Sequence, residues 1–202
     1  MRLGARTTLW CGGLLFALAV AMLASAATGP VSVDYVVVGK AVLNALPVVS
    51  YDVPDVARRI VVVLRLPRIA LAAVVGFALA TAGVVMQGFF RNPMADPSII
   101  GVSSGAAVGA VTTIAFSVAV PFALPLFAFV GALVAAFGVY LLATEDGRTP
   151  VATLLLAGVA VQTLLGAVVS FLLLHSGESL REAVFWLMGH LNYSSWDKIL
   201  VA

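Results

Sequence analysis

The sequence predicts an all-α membrane protein, a polytopic bundle of about five complete spans with the start of a sixth. Hydrophobic residues fill 62% of its 202 positions and charged residues 10%, against roughly half and about a quarter in soluble domains. The 11 basic and 9 acidic residues are clustered, leaving charge-free windows from Thr7 to Val33, Ile69 to Phe90, Pro97 to Thr144 and Thr149 to Leu174. Each exceeds the ~20 residues that cross ~30 Å of hydrocarbon at ~1.5 Å per residue. The third window is long enough for two spans, and Pro121-Phe122-Ala123-Leu124-Pro125 punctuates it as a turn between helices would.

The first span is expected from Leu9 to Ala27. Arg2 and Arg6 ahead of this run, with Ala24-Ser25-Ala26 behind it, have the outline of a cleavable leader, but the run is long enough to span and further spans follow. Residues 28–68 form a more polar loop in which Val31, Tyr35, Val38, Val42 and Leu46 recur at helical spacing, the pattern of a helix on the membrane surface. Pro47 and Pro54 are expected to keep the chain irregular up to Arg58. Span two is expected from Ile69 to Phe90, span three from Ser98 to Ser117, span four from Phe122 to Thr144 and span five from Val151 to Leu174. Residues 175–196 form a second loop, which the resemblance described below places outside together with the first. There Glu178, Arg181 and Glu182 precede an apolar stretch, Val184 to Leu191, too short to cross, and a new span begins near Ile199.

Several chemistries are excluded by composition. No Asp, Glu, Lys or Arg falls inside an expected span, which disfavours proton relays and ion-coupled carriage. Gly147-Arg148-Thr149 lacks the upstream glycine and the lysine of a phosphate-binding loop, so no ATP hydrolysis is expected of this chain and no cofactor is implied. Cys11 is the single cysteine, and His175 and His190 have no third ligand at metal spacing, so no metal site is expected. A formal charge of +2, with no basic stripe, argues against nucleic acid as a partner. Membrane lipid is the expected surrounding.

Gly101, Gly105 and Gly109 recur every fourth residue, so close helix packing is expected on one face of span three. The same reading covers Gly76, Ala80 and Gly83 in span two and Gly131, Ala135 and Gly138 in span four. Gln87 and Gln162 are uncharged polar groups inside spans, and each must find an interhelical partner or face a watery pathway. Arg91-Asn92-Pro93-Met94-Ala95-Asp96-Pro97 makes a very short link, with Asp96 a candidate N-cap and Pro97 suited to a first helical turn.

These residues carry a resemblance. Arg65-Leu66-Pro67-Arg68, then Gly76, Ala80, Gly83 and Met86-Gln87, then Arg91 to Pro97, then Ile100-Gly101 and Gly105-Ala106 stand in an order and spacing that resembles the FecCD-type permeases. Those are subunits of binding-protein-dependent ABC importers for iron-siderophores, haem and cobalamin. Leu154-Leu155-Leu156-Ala157-Gly158, Phe185-Trp186-Leu187-Met188-Gly189 and Trp196 extend the likeness across nearly all of the chain from Arg65 onward.

The resemblance implies the N-terminal part of a ten-span, type II importer permease in the bacterial inner membrane. It also implies a second permease copy forming a homodimer, cytoplasmic ATPase subunits and an extracytoplasmic substrate-binding protein. An iron-siderophore is the first expectation for the substrate, with haem or a cobalamin-like chelate beside it. Arg65 and Arg68 are then expected to face outward and dock the binding protein, Asn92, Pro93 and Met94 to form a cytoplasmic gate or turn, and span five to line the pathway, with Gln87 and Gln162 as pathway candidates. Lys40, Arg58, Arg59, Arg65 and Arg68 would by charge count alone draw the first loop inside, and the resemblance places it outside. The rival expectations are an ion-coupled carrier or channel and a non-transporting membrane scaffold.

Overall fold

The computed structural model describes residues 3–44, 50–191 and 194–199. All regular structure among them is helical, apart from one isolated bridge between Glu145 and Arg148. The elements are α1 (Leu3–Ala27), α2 (Tyr35–Leu43), α3 (Asp55–Arg58), a π-helical segment (Arg59–Arg65), α4 (Leu66–Phe90), a 3-10 turn (Pro97–Ile100), α5 (Val102–Ala115), α6 (Ala123–Ala143), α7 (Val151–His175), a second 3-10 turn (Gly177–Ser179), α8 (Leu180–Leu187) and α9 (Trp196–Ile199).

Among the described residues, four stretches are long and apolar enough to cross a bilayer: Gly4–Ala27, Asp55–Phe90, Ala123–Ala143 and Val151–His175. Only 6% to 22% of each of their most apolar windows is buried within the protein, so large side chains such as Phe77, Phe129 and Phe137 face outward. Water would penalise that surface heavily and hydrocarbon does not, which makes this a multi-pass membrane protein. The expected third span is α5, shorter than its neighbours at 14 residues.

The chain divides into two compact units, Met1–Phe77 with Leu191–Ala202, and Ala78–His190. In the first, α1 stops at Thr28, where Gly29 and Pro30 cannot extend the helix. Asp34 caps α2, its carboxylate accepting the Val36 N–H at 2.7 Å. Val38 and Ala41 of α2 are buried with Ala26, Ala27, Val33, Val61 and Ile69. Beyond α2, Asn44 bonds residue 51 in both directions: its side-chain NH2 donates to the Tyr51 carbonyl at 2.9 Å and its oxygen accepts the Tyr51 N–H at 2.7 Å. Leu46 and Pro47 lie outside the described residues.

The stretch after Pro54 corrects the sequence reading. Rather than staying irregular up to Arg58, the chain turns helical at Asp55 and continues to Phe90. Pro54 precedes the first turn, where its missing N–H costs nothing, and Asp55 sits at the positive end of the helix dipole.

In the second unit α5 is the buried element, with Gly105, Gly109, Ala110, Val111, Thr113 and Ile114 enclosed. Thr113 donates its hydroxyl to the Gly109 carbonyl at 2.9 Å, so its polar atom is satisfied within the helix. At one end Val139, Ala143 and Leu154 pack with Phe90, Ile100, Ala157 and Val161. At the other Val111, Ile114 and Ala183 pack with Leu124, Val169, Leu172, Leu173 and Trp186. The link between α5 and α6 ends at Phe122, and Pro125 lies in the first turn of α6, where proline is tolerated. Asp146 (φ 49°) and Gly147 (φ 72°) form the two-residue turn between α6 and α7, closed by Glu145 and Arg148 exchanging both backbone bonds at 2.9 Å. The short helix expected from Val184 begins earlier, at Leu180, and takes Arg181 and Glu182 into its first turn.

Candidate functional site

The first candidate site is the segment around Arg65 and Arg68. Arg65 closes the π-helical segment and is half-buried. Its Nη1 donates to the Ala26 carbonyl at 2.7 Å and the Ala27 carbonyl at 3.0 Å, and its Nη2 donates to the Val31 carbonyl. The first two are carbonyls of the last turn of α1, which have no partner inside their own helix and lie at the negative end of its dipole. Arg65 is therefore hydrogen-bonded to the end of α1 and the turn behind it. Arg68, three residues on, is exposed.

Pro67, buried between them, leaves one carbonyl of the π-helical segment without a donor from its own helix. In that register Leu66 returns its N–H to Val61, so the next carbonyl, Val62, awaits the N–H of residue 67, which proline lacks. The Val62 carbonyl instead accepts the Trp196 indole N–H at 3.2 Å. Sequence reading noted Trp196 as a motif residue but not this partnership; the available signal was a proline inside a helical stretch, which obliges some carbonyl to look elsewhere.

The second candidate site is the link 91–97. Asn92 accepts the Met94 N–H on its side-chain oxygen at 2.9 Å, and Asp96 accepts the Ser98 N–H at 2.7 Å. Hydrogen bonds from Ser98, through its side chain and its backbone, hold the Asp96 carboxyl below its ordinary value of 3.8. Pro93 and Met94 form the turn, with Ala95 buried and Met94 83% exposed. The link is thus a pair of side-chain-closed turns with Pro93 and Met94 exposed at the tip.

The glycines separate. A Cβ added to Gly105 would strike the Gly131 carbonyl and Ala135, and one added to Gly109 would strike the Phe127 carbonyl; here α5 and α6 meet backbone to backbone. Gly101 does not share that face. It is a left-handed residue, φ 76°, at the junction of the 3-10 turn and α5, and glycine alone adopts that angle at little cost. Gly76, Gly83 and Gly138 have open space where a Cβ would stand, so the packing expected there is not made by these residues. Gly158, quoted only as part of a motif, lies against the Ile99 carbonyl.

Gln87 on α4 and Gln162 on α7 are both exposed, and neither side chain is hydrogen-bonded among the described residues. His175 and His190 each bond the carbonyl of a preceding residue, Phe171 at 2.9 Å and Phe185 at 2.6 Å. The described residues contain no cluster of metal ligands.

Comparison with known proteins adds the ancestry. The pattern of the FecCD transport family matches residues 15–202. The chain is 46% identical to the cobalamin import system permease protein BtuC of Halobacterium salinarum, over 98% of this chain and 62% of that protein. It is 41% identical to the hemin transport system permease protein HmuU of Yersinia pestis, over 69% of this chain and 43% of that protein. A solved structure of a metal-chelate type ABC transporter in an inward-facing conformation is similar at a TM-score of 0.75 and 34% identity, covering 93% of this chain and 55% of that one. The chain thus spans 62% or less of each of these relatives. With its charge-free apolar windows, its Arg-Leu-Pro-Arg segment and its Asn-Pro-Met link, this chain belongs to the FecCD transport family.

Proposed function

We propose that this chain supplies membrane-spanning helices of an ABC importer permease that carries a metal chelate (an iron-siderophore, haem or a cobalamin) into the cytoplasm. The observation that carries the reading is the family match over residues 15–202. Its relatives import cobalamin and hemin by name. The helices add a physical reason: large chelates pass along walls without fixed charge, and the membrane windows of this chain hold none.

In this reading two copies pair in the bacterial inner membrane, ATP is hydrolysed by separate cytoplasmic subunits, and an extracytoplasmic binding protein delivers the chelate. The Asn92-Pro93-Met94 turn faces the cytoplasm as a gate. Its closed turns favour movement as a rigid unit about Arg91, whose left-handed backbone (φ 48°) marks the bend. Gln87 and Gln162 gain water or a partner along the route. Arg65 and Arg68 belong to the docking face for the binding protein.

The test is uptake by the full-length protein in proteoliposomes with its ATPase and binding protein, supplied in turn with cyanocobalamin, hemin and a ferric siderophore. ATP-dependent accumulation of one chelate is expected. Accumulation driven by an ion gradient without ATP would overturn the reading in favour of a secondary carrier.

A further inference from the structure

We propose that Gly158 is a positioning residue: its bare backbone seats the root of the 91–97 link on α7, so that α7, and not α4, carries the turn. The seat rests on geometry alone; that the carried turn is a gate rests on the importer reading above. On the α4 side the link is loosely held. Of α4, Phe90 alone joins the cluster at this packed end. The chain then bends at Arg91, whose left-handed backbone (φ 48°) is costly for a residue with a Cβ. Across that bend run two long bonds, from the Arg91 N–H to the Gly88 carbonyl at 3.4 Å and from the Asn92 N–H to the Gln87 carbonyl at 3.2 Å.

From Asn92 onward the link is closed upon itself. Beside the two side-chain closures, Ala95 donates to the Asn92 carbonyl at 3.1 Å, Ile99 to the Asp96 carbonyl at 3.2 Å and Gly101 to the Ser98 carbonyl at 2.9 Å. This closed segment leans on α7. A Cβ at position 158 would overlap the Ile99 carbonyl oxygen and stand 3.2 Å from the Ile99 carbonyl carbon and 3.3 Å from the Ile100 Cα. Ile100 joins Leu154, Ala157 and Val161 of the same helix in one cluster. Backbone therefore meets backbone, with no side chain between them to yield. Gln162 stands one turn along α7 from Gly158. A tilt of the helix that bears this pathway candidate moves the Asn92-Pro93-Met94 turn with it.

Two distances test the carriage. The full-length permease is assembled with its ATPase in nanodiscs, with Cys11 replaced. Spin labels pair Met94→Cys with Leu164→Cys on α7 or with Val84→Cys on α4, both outward-facing positions. Between the nucleotide-free and vanadate-trapped states the Met94–Leu164 distance is expected to hold, and the Met94–Val84 distance to change by several ångströms. A Met94–Leu164 change as large as the other would overturn the proposal. So would constancy of both, since a turn that never parts from α4 is not carried by α7. The seat is tested in the purified chain by hydrogen exchange at the Ile99 and Gly101 amides. Gly158→Ala is expected to speed exchange there by about tenfold, and Gly166→Ala, whose Cβ meets open space, to leave it as in the parent. Parent-like exchange in Gly158→Ala would overturn the seat. In proteoliposomes Gly158→Ala should keep ATP hydrolysis and lose about tenfold in chelate moved per ATP. Gly109→Ala crowds the Phe127 carbonyl instead and should leave that ratio unchanged; an equal loss in both would reduce Gly158 to packing. If the parent moves no chelate with ATP, the importer reading fails, and the exchange rates still decide the seat.

Discussion

The Asp96 carboxylate orders the turn at Pro97–Ile100 through Ser98, and the same bonds lower its affinity for a proton. Its folded value lies below the ordinary 3.8, so the cap contributes fully above that value and is lost as pH falls through the lower folded one. With Cys11 removed and a fluorophore attached at Met94→Cys, anisotropy should stay constant down to about pH 4 and then drop. Asp96→Asn should abolish that step; an unchanged profile would mean that the carboxylate does not govern the turn. Asp96 was legible as a cap because Asp followed by Pro at the mouth of an apolar run has a local mechanism. Arg65 was not, because its partners stand 34 to 39 residues away in sequence and nothing local announces them.

Between elements, the close approach of α5 to α6 depends on two glycines facing each other's carbonyls. An added methyl meets backbone, which cannot swing aside, so overpacking of about 1–3 kcal/mol is expected for Gly105→Ala and for Gly131→Ala. Gly138→Ala on α6 opens onto free space and should be neutral or slightly stabilising, since alanine favours helix by about 1 kcal/mol over glycine. Thermal unfolding in detergent compares the three; equal midpoints for Gly105→Ala and Gly138→Ala would refute the close approach. The spans themselves were legible from charge-free windows, because hydrocarbon excludes fixed charge whatever the packing. The four-residue glycine period was a weaker guide. It marked Gly105 and Gly109 alike with Gly101, which a left-handed backbone takes out of the helix, and with Gly76 and Gly138, which the protein leaves open.

At the scale of the molecule, each unit has its own logic. In the unit Ala78–His190 the links at 91–97 and 144–150 flank one packed end, and the turn before α8 lies at the other, separated by the length of α7 at about 37 Å. In a cysteine-free background, single cysteines at Met94 and Arg148 should therefore react with an impermeant thiol reagent from the same side of the membrane, and one at Arg181 from the opposite side. On the importer reading proposed above, the first side is the cytoplasmic one. Labelling of Met94 and Arg148 from opposite sides would break the arrangement. Charge counting could not supply this sidedness, since the basic residues of the first segment pull against it, and Arg65 spends its charge on α1 instead of on the membrane surface.

The bond from Trp196 to Val62 joins positions 134 residues apart and exists because Pro67 leaves a carbonyl unanswered. Its consequence is evolutionary. While proline holds position 67, loss of the indole strands that carbonyl; once position 67 regains an N–H, the indole becomes dispensable. The two residues therefore form an epistatic pair, and among descendants of this sequence they should be kept or relinquished together, although neither touches the other along the chain.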